Sequence, residues 1–137
     1  MLNDKIKQIA DSSLNFGMNN RYANSVQLSG WIFQKPKFSE NPRTGSKAVS
    51  FILVQVMTTP TGEIETNSFS IITYVDGIME QLMKLEHVAF VVMIGKLVFN
   101  RFKKTTSPQL LQCEITHETD IELEPSYERK PNERNEN

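Results

Sequence analysis

A chain of 137 residues, 39% apolar and 23% charged, has the length and composition of one ordinary globular domain. Its single cysteine, Cys113, excludes an intrachain disulfide and a cysteine-rich zinc site, and two histidines, His87 and His117, leave metal chemistry few ligands. The net charge of −1 argues on its face against a nucleic-acid partner. No stretch approaches the roughly 18 apolar residues of a membrane span or, in Met1–Asn19, the roughly 7–15 of a signal sequence, so a soluble cytoplasmic protein is expected.

In chain order, Asn3–Leu14 reads as a short amphipathic helix capped by Asn3, with Leu2, Ile6 and Ile9 forming a narrow stripe. Asn15–Arg21, with Gly17 and several asparagines, reads as a loop. From Asn24 the period changes to that of strands: Val26, Leu28 and Ile32 alternate with polar residues around a bend at Gly30. Lys35–Lys47, with Pro36, Pro42 and Gly45, reads as a long basic loop, and Ala48–Thr58 as a second strand. Pro60-Thr61-Gly62 turns into a third strand over Ile64–Val75. Ile78, Met79, Leu82 and Leu85 have the spacing of a short helix. His87–Phe99 is the fourth strand, Thr105–Gln109 a loop around Pro108, and Leu110–Thr116 the fifth strand, with Leu111, Cys113 and Ile115 alternating with polar residues. Glu124–Asn137 has two prolines and no aliphatic side chain, which predicts a disordered tail. Charge divides along the same boundaries. Residues 20–112 hold ten Lys/Arg against six Asp/Glu, net +4, and residues 113–137 hold three against eight, net −5.

Three strands, a helix and two strands is the element order of an all-β, five-stranded OB-fold, a Greek-key barrel that commonly binds oligonucleotides or oligosaccharides. A generic α+β sheet has the same order; Gly30 and Gly95 inside strands favour the barrel, whose few strands must coil sharply to close. The expected organisation is an N-terminal helical extension over 1–22, the barrel over 23–123 and the tail over 124–137.

Asn24-Ser-Val26-Gln-Leu28-Ser-Gly30-Trp31-Ile32-Phe33-Gln-Lys-Pro36 resembles the first strand of bacterial and phage single-stranded DNA-binding proteins. Ala48–Gln55 with Phe51 and Leu53 is similar to the family's second strand, Gly62 followed by Phe69 and Ile71-Ile72 to its third, and Val91–Leu97 to the Val-x-Val-x-Gly-x-Leu run of its fourth. The likeness spans about Asn24–Leu123. Lys84-Leu85-Glu86 stands where the family usually has a Lys-Gly turn, the N-terminal extension is unusual, and Asn135-Glu136-Asn137 differs from the apolar-closed acidic tip of cellular members, which favours a phage or mobile-element version.

Holding single strands without reading sequence requires aromatic faces for stacking and cations along the phosphates. Phe99, Arg101, Phe102, Lys103 and Lys104 interleave the two at a strand end. Phe69 lies between two serines where the family usually carries an aromatic; Trp31 follows the bend glycine; Tyr74 has the opposite strand parity to Phe69. Lys35, Lys37, Arg43 and Lys47 form the basic loop. These twelve residues are the candidate DNA-binding set. Phe90, Val92 and Ile94 would face away from the barrel interior, and an apolar outer face must be covered by a second subunit or by the N-terminal helix. The resemblance implies a homo-oligomer, dimer or tetramer, with replication or recombination proteins as further partners.

No phosphate-binding glycine loop, His-Glu-x-x-His or Gly-x-Ser-x-Gly occurs, so neither an enzyme nor a cofactor is expected. The expected partner is single-stranded DNA, and nothing in the motifs distinguishes it from RNA. Two other roles fit the same fold: a replication-restart or primosome accessory, and a pure protein-interaction module.

Overall fold

Period-two alternation of aliphatic and polar residues makes most of this chain into strands. The computed structural model describes residues 1–15, 23–101 and 104–126. The strands are β1 (Val26–Ile32), β2 (Lys37–Glu40), β3 (Lys47–Thr58), β4 (Ile64–Thr73), β5 (His87–Asn100) and β6 (Thr105–Glu122). Helix α1 (Leu2–Asn15) precedes them and α2 (Asp76–Met83) separates β4 from β5. They hydrogen-bond in the order β1-β5-β6-β4-β3-β2, and β1 also meets β3 at Trp31 and Val54, which closes the ring. Every pairing is antiparallel except β4 with β6, where Ile72 and Thr73 lie beside Gln109 and Leu110. This is the expected barrel.

The inward side of each strand supplies the core. Val49, Phe51 and Leu53 of β3, Ile71 of β4, Ala89, Val91 and Met93 of β5 and Leu110 of β6 are all buried, and α2 adds Ile78, Met79 and Leu82. One polar side chain is fully buried among them. Thr73 Oγ1 donates to the Leu110 carbonyl at 3.0 Å and accepts from the Val75 amide at 3.3 Å, tying β4 to β6 and to the start of α2. Thr73→Val keeps the shape and leaves both backbone groups without this partner. A loss of about 1–2 kcal/mol in urea unfolding is the expected outcome.

Gly30 and Gly95 sit where backbones cross. A Cβ on Gly30 would lie 2.8 Å from the Val54 carbonyl oxygen, at the β1–β3 closure. A Cβ on Gly95 would fall on the Gln109 carbonyl, next to the β5–β6 register shift between Ile94 and Gly95 and the β4–β6 seam. Side chains are excluded there by close approach.

The structure departs from the sequence reading in four places. The loop Lys35–Lys47 contains β2, an exposed strand that pairs with β3 from Lys37–Ser50 to Glu40–Lys47; its residues carry no apolar alternation, so only the neighbour makes it a strand. The loop expected at Thr105–Gln109 is the first part of β6, which runs 18 residues, with Pro108 opposite Leu97. Asn3 lies inside α1, which starts at Leu2, so it is not a cap. The body also extends past Leu123. Glu124 bridges Gln34 through two backbone hydrogen bonds of 2.8 Å, and the Ser126 hydroxyl donates to the Lys35 carbonyl.

Candidate nucleic-acid interface

Strand β4 divides its side chains between two faces, and the division decides which aromatics are available. Phe69, Ile71 and Thr73 face inward; Ser70, Ile72 and Tyr74 face out. The β3–β4 ladder runs from Val49–Thr73 to Thr58–Ile64 without a register shift, so no bulge moves Phe69 outward. Phe69 packs against the core, and Tyr74, half exposed at 50%, reaches the outer surface.

That surface is a groove of about 860 Å³. Its floor is β4 and β3, with Ser50, Ser70 and Ile72; Lys37 and Ser39 of β2 form one wall. The other wall is the end of β5 with Arg101 and the start of β6, including Val98, Phe99, Thr105, Ser107 and Gln109. A hollow of about 170 Å³ shares Lys37, Ser50 and Ser70 and adds Gln34, Lys35 and Ser126, so the groove continues past the start of β2. Tyr74 and Phe99, the latter 58% exposed, present rings to solvent. Lys35, Lys37 and Arg101 form no ion pair among the described residues, which leaves their charges open to an anion. Exposed rings, unpaired cations and a floor of hydroxyls suit a ligand with planar faces and a charged backbone.

Five of the twelve candidate residues therefore meet at this groove: Lys35, Lys37, Tyr74, Phe99 and Arg101. Phe102 and Lys103 lie outside the described residues. Lys104, exposed with φ +53°, directly precedes β6. Arg43 and Lys47 are exposed but do not line the groove; the Arg43 amide is held in a turn by Asn41 Oδ1, and Lys47 stands opposite Glu40. Trp31 lies elsewhere. Its ring meets Phe90 edge-on at 5.1 Å and His117 at 6.2 Å, on the outer face of β1, β5 and β6. The serines of the groove carry no signal as binding residues in the sequence, because hydroxyl side chains become a surface only when strand pairing gathers them. The outward parity shared by Ser70, Ile72 and Tyr74 was the only available clue.

Phe90, Val92 and Ile94 share the outer face with Trp31, in register with His117, Glu114 and Gln112 of β6. Ile94 is 41% exposed, and α1 leaves its own Leu2, Ile6 and Ile9 exposed as well. The five acidic residues from Glu114 to Glu124 are all exposed on β6 and just beyond it, whereas Thr105, Ser107 and Gln109 at the strand's start line the groove. Cys113 packs against the core opposite Met93, and burial pushes its thiol up to about 11. At pH 8 only about one molecule in a thousand then carries the thiolate. Iodoacetamide is accordingly expected to label Cys113 quickly in urea and very slowly in the folded protein, as read by intact mass.

No protein-family model matches the chain, and no curated protein does. Solved structures match its fold. The mitochondrial single-stranded DNA-binding protein Rim1 of S. cerevisiae superposes with a TM-score of 0.58 at 12% identity, over 71% of this chain and 97% of that one. The SSB of Plasmodium falciparum, in a complex with single-stranded DNA, gives 0.52 at 17% identity over 72% and 99%. The small single-stranded DNA-binding protein of Streptomyces coelicolor gives 0.51 at 18% identity over 69% and 94%.

Proposed function

We propose that this OB-fold chain is a sequence-independent single-stranded DNA-binding protein, not an enzyme, that coats and protects single strands during replication or recombination in the cytoplasm. The observation that carries the reading is the groove, with Tyr74 and Phe99 exposed beside the exposed cations Lys37 and Arg101, on a barrel whose structural neighbours are DNA-binding proteins of this kind. Rings stack on any base, and cations hold any phosphate, so such a groove grips a strand without reading it. The hydroxyl floor adds hydrogen bonds that accept varied base edges. In this reading the outer face with Phe90, Val92 and Ile94 joins copies into a homo-oligomer, which multiplies weak binding per domain.

Fluorescence anisotropy of labelled oligo(dT) tests it. Saturable binding is expected, displaced by unlabelled single strands and not by duplex of the same length. If Lys35, Lys37 and Arg101 each neutralise one phosphate, log K falls against log salt with a slope of about −2. No anisotropy change at low salt, or equal competition by duplex, refutes the proposal.

A further inference from the structure

Among the described residues two apolar surfaces of this chain lack a complete cover, one with Ile94 exposed beside the half-buried Phe90 and Val92 and the other the stripe on α1, and they match one another. On the barrel, Phe90, Val92 and Ile94 form a strip about 13 Å long, from four strand residues at about 3.3 Å each. On α1, Leu2, Ile6 and Ile9 form a stripe about 10 Å long, from seven residues at 1.5 Å each, with these side chains 71%, 57% and 60% exposed. A helix of 14 residues is marginal in water by itself, so its persistence calls for a surface to bury that stripe. Charge agrees. At 100° per residue Lys5 borders the stripe beside Leu2 and Ile9, while Asp4 and Asp11 fall on the far side. The barrel strip is bordered by Glu114, directly opposite Val92 on β6.

We infer that α1 of one copy docks on the Phe90–Ile94 strip of a second copy, with Lys5 facing Glu114, and that the exchange is reciprocal. This rests on the proposed homo-oligomer and names what its interface contains. Every described side chain of α1 is exposed in the single chain, so docking on the same barrel is not the arrangement this fold presents. A second copy satisfies both surfaces twice and closes a two-fold dimer.

Light scattering on the full chain, with circular dichroism to verify folding, is the first test. The wild type is expected to have the mass of a dimer or a multiple of it, and Ile6→Asp with Ile9→Asp to lower that mass about twofold. If the variant keeps the wild-type mass while Val92→Asp lowers it, the oligomer stands and the helix exchange is wrong. If the wild type is already monomeric, both ideas fail together. The second test pairs Ile6→Cys with Val92→Cys in a Cys113→Ala background under mild oxidation. A covalent dimer on a non-reducing gel supports exchange; a crosslinked monomer, or no crosslink, overturns it.

Discussion

Replacing Tyr74 and Phe99 together by alanine is expected to weaken oligo(dT) binding by about 3 kcal/mol, roughly a hundredfold, since one stacked base is worth about 1–3 kcal/mol. Both rings are at least half exposed, and neither belongs to the core cluster, so the variant should unfold at the wild-type urea midpoint. Phe69→Ala separates stacking from packing. Its ring lies against the core, in register with the fully buried Leu53, so its loss should lower stability with little effect on the affinity of the folded fraction. An intact affinity in the double variant removes the groove from the binding site. A loss as large in Phe69→Ala, with the fold intact, moves the site to the family-like position instead.

The second large effect is on the fold. Gly95→Ala is expected to destabilise the barrel by about 3 kcal/mol, the upper part of the usual range for forcing atoms into a packed interior. The new methyl would meet the Gln109 carbonyl oxygen and lie 2.9 Å from its carbon. These are backbone atoms, which cannot swing aside as a side-chain tip can. Gln109 and Leu110 are also the residues through which β6 pairs with β4, so relieving the clash pulls on the seam that closes the barrel. Gly30→Ala meets one backbone oxygen at 2.8 Å and should cost less. Urea unfolding of both variants checks the order, and an unchanged midpoint for Gly95→Ala contradicts this packing.

How much of this was legible in the sequence varies with the range of the interaction involved. The core strands were legible, because Val49-x-Phe51-x-Leu53 and Ala89-x-Val91-x-Met93 bury alternate residues whatever they pair with. Strand β2 was not, since four exposed residues become a strand only through hydrogen bonds to β3. Pro108 reads locally as a breaker, yet it sits within β6 because the long β5 beside it carries the pairing on. Among the aromatics, alternation establishes that Phe69 and Tyr74 face opposite ways, and says nothing about which side is covered. Closure of the ring and the position of the core settle that, with Phe69 against the core and Tyr74 on the outer surface.

The net charge has the same two levels. The sequence alone determined that +4 lies in residues 20–112 and −5 beyond them, together with five of the six strands and the helix between β4 and β5. Only the tertiary structure decided where those charges act. Five of the acids belong to β6 or the residues just after it, away from the groove-lining start of that strand, so much of the acidic end is part of the barrel. Lys35, Lys37 and Arg101, spread over more than sixty residues of chain, are brought to one groove by the β2–β3, β3–β4 and β4–β6 pairings. Composition and period depend on near neighbours along the chain, whereas a binding surface depends on which strands lie side by side.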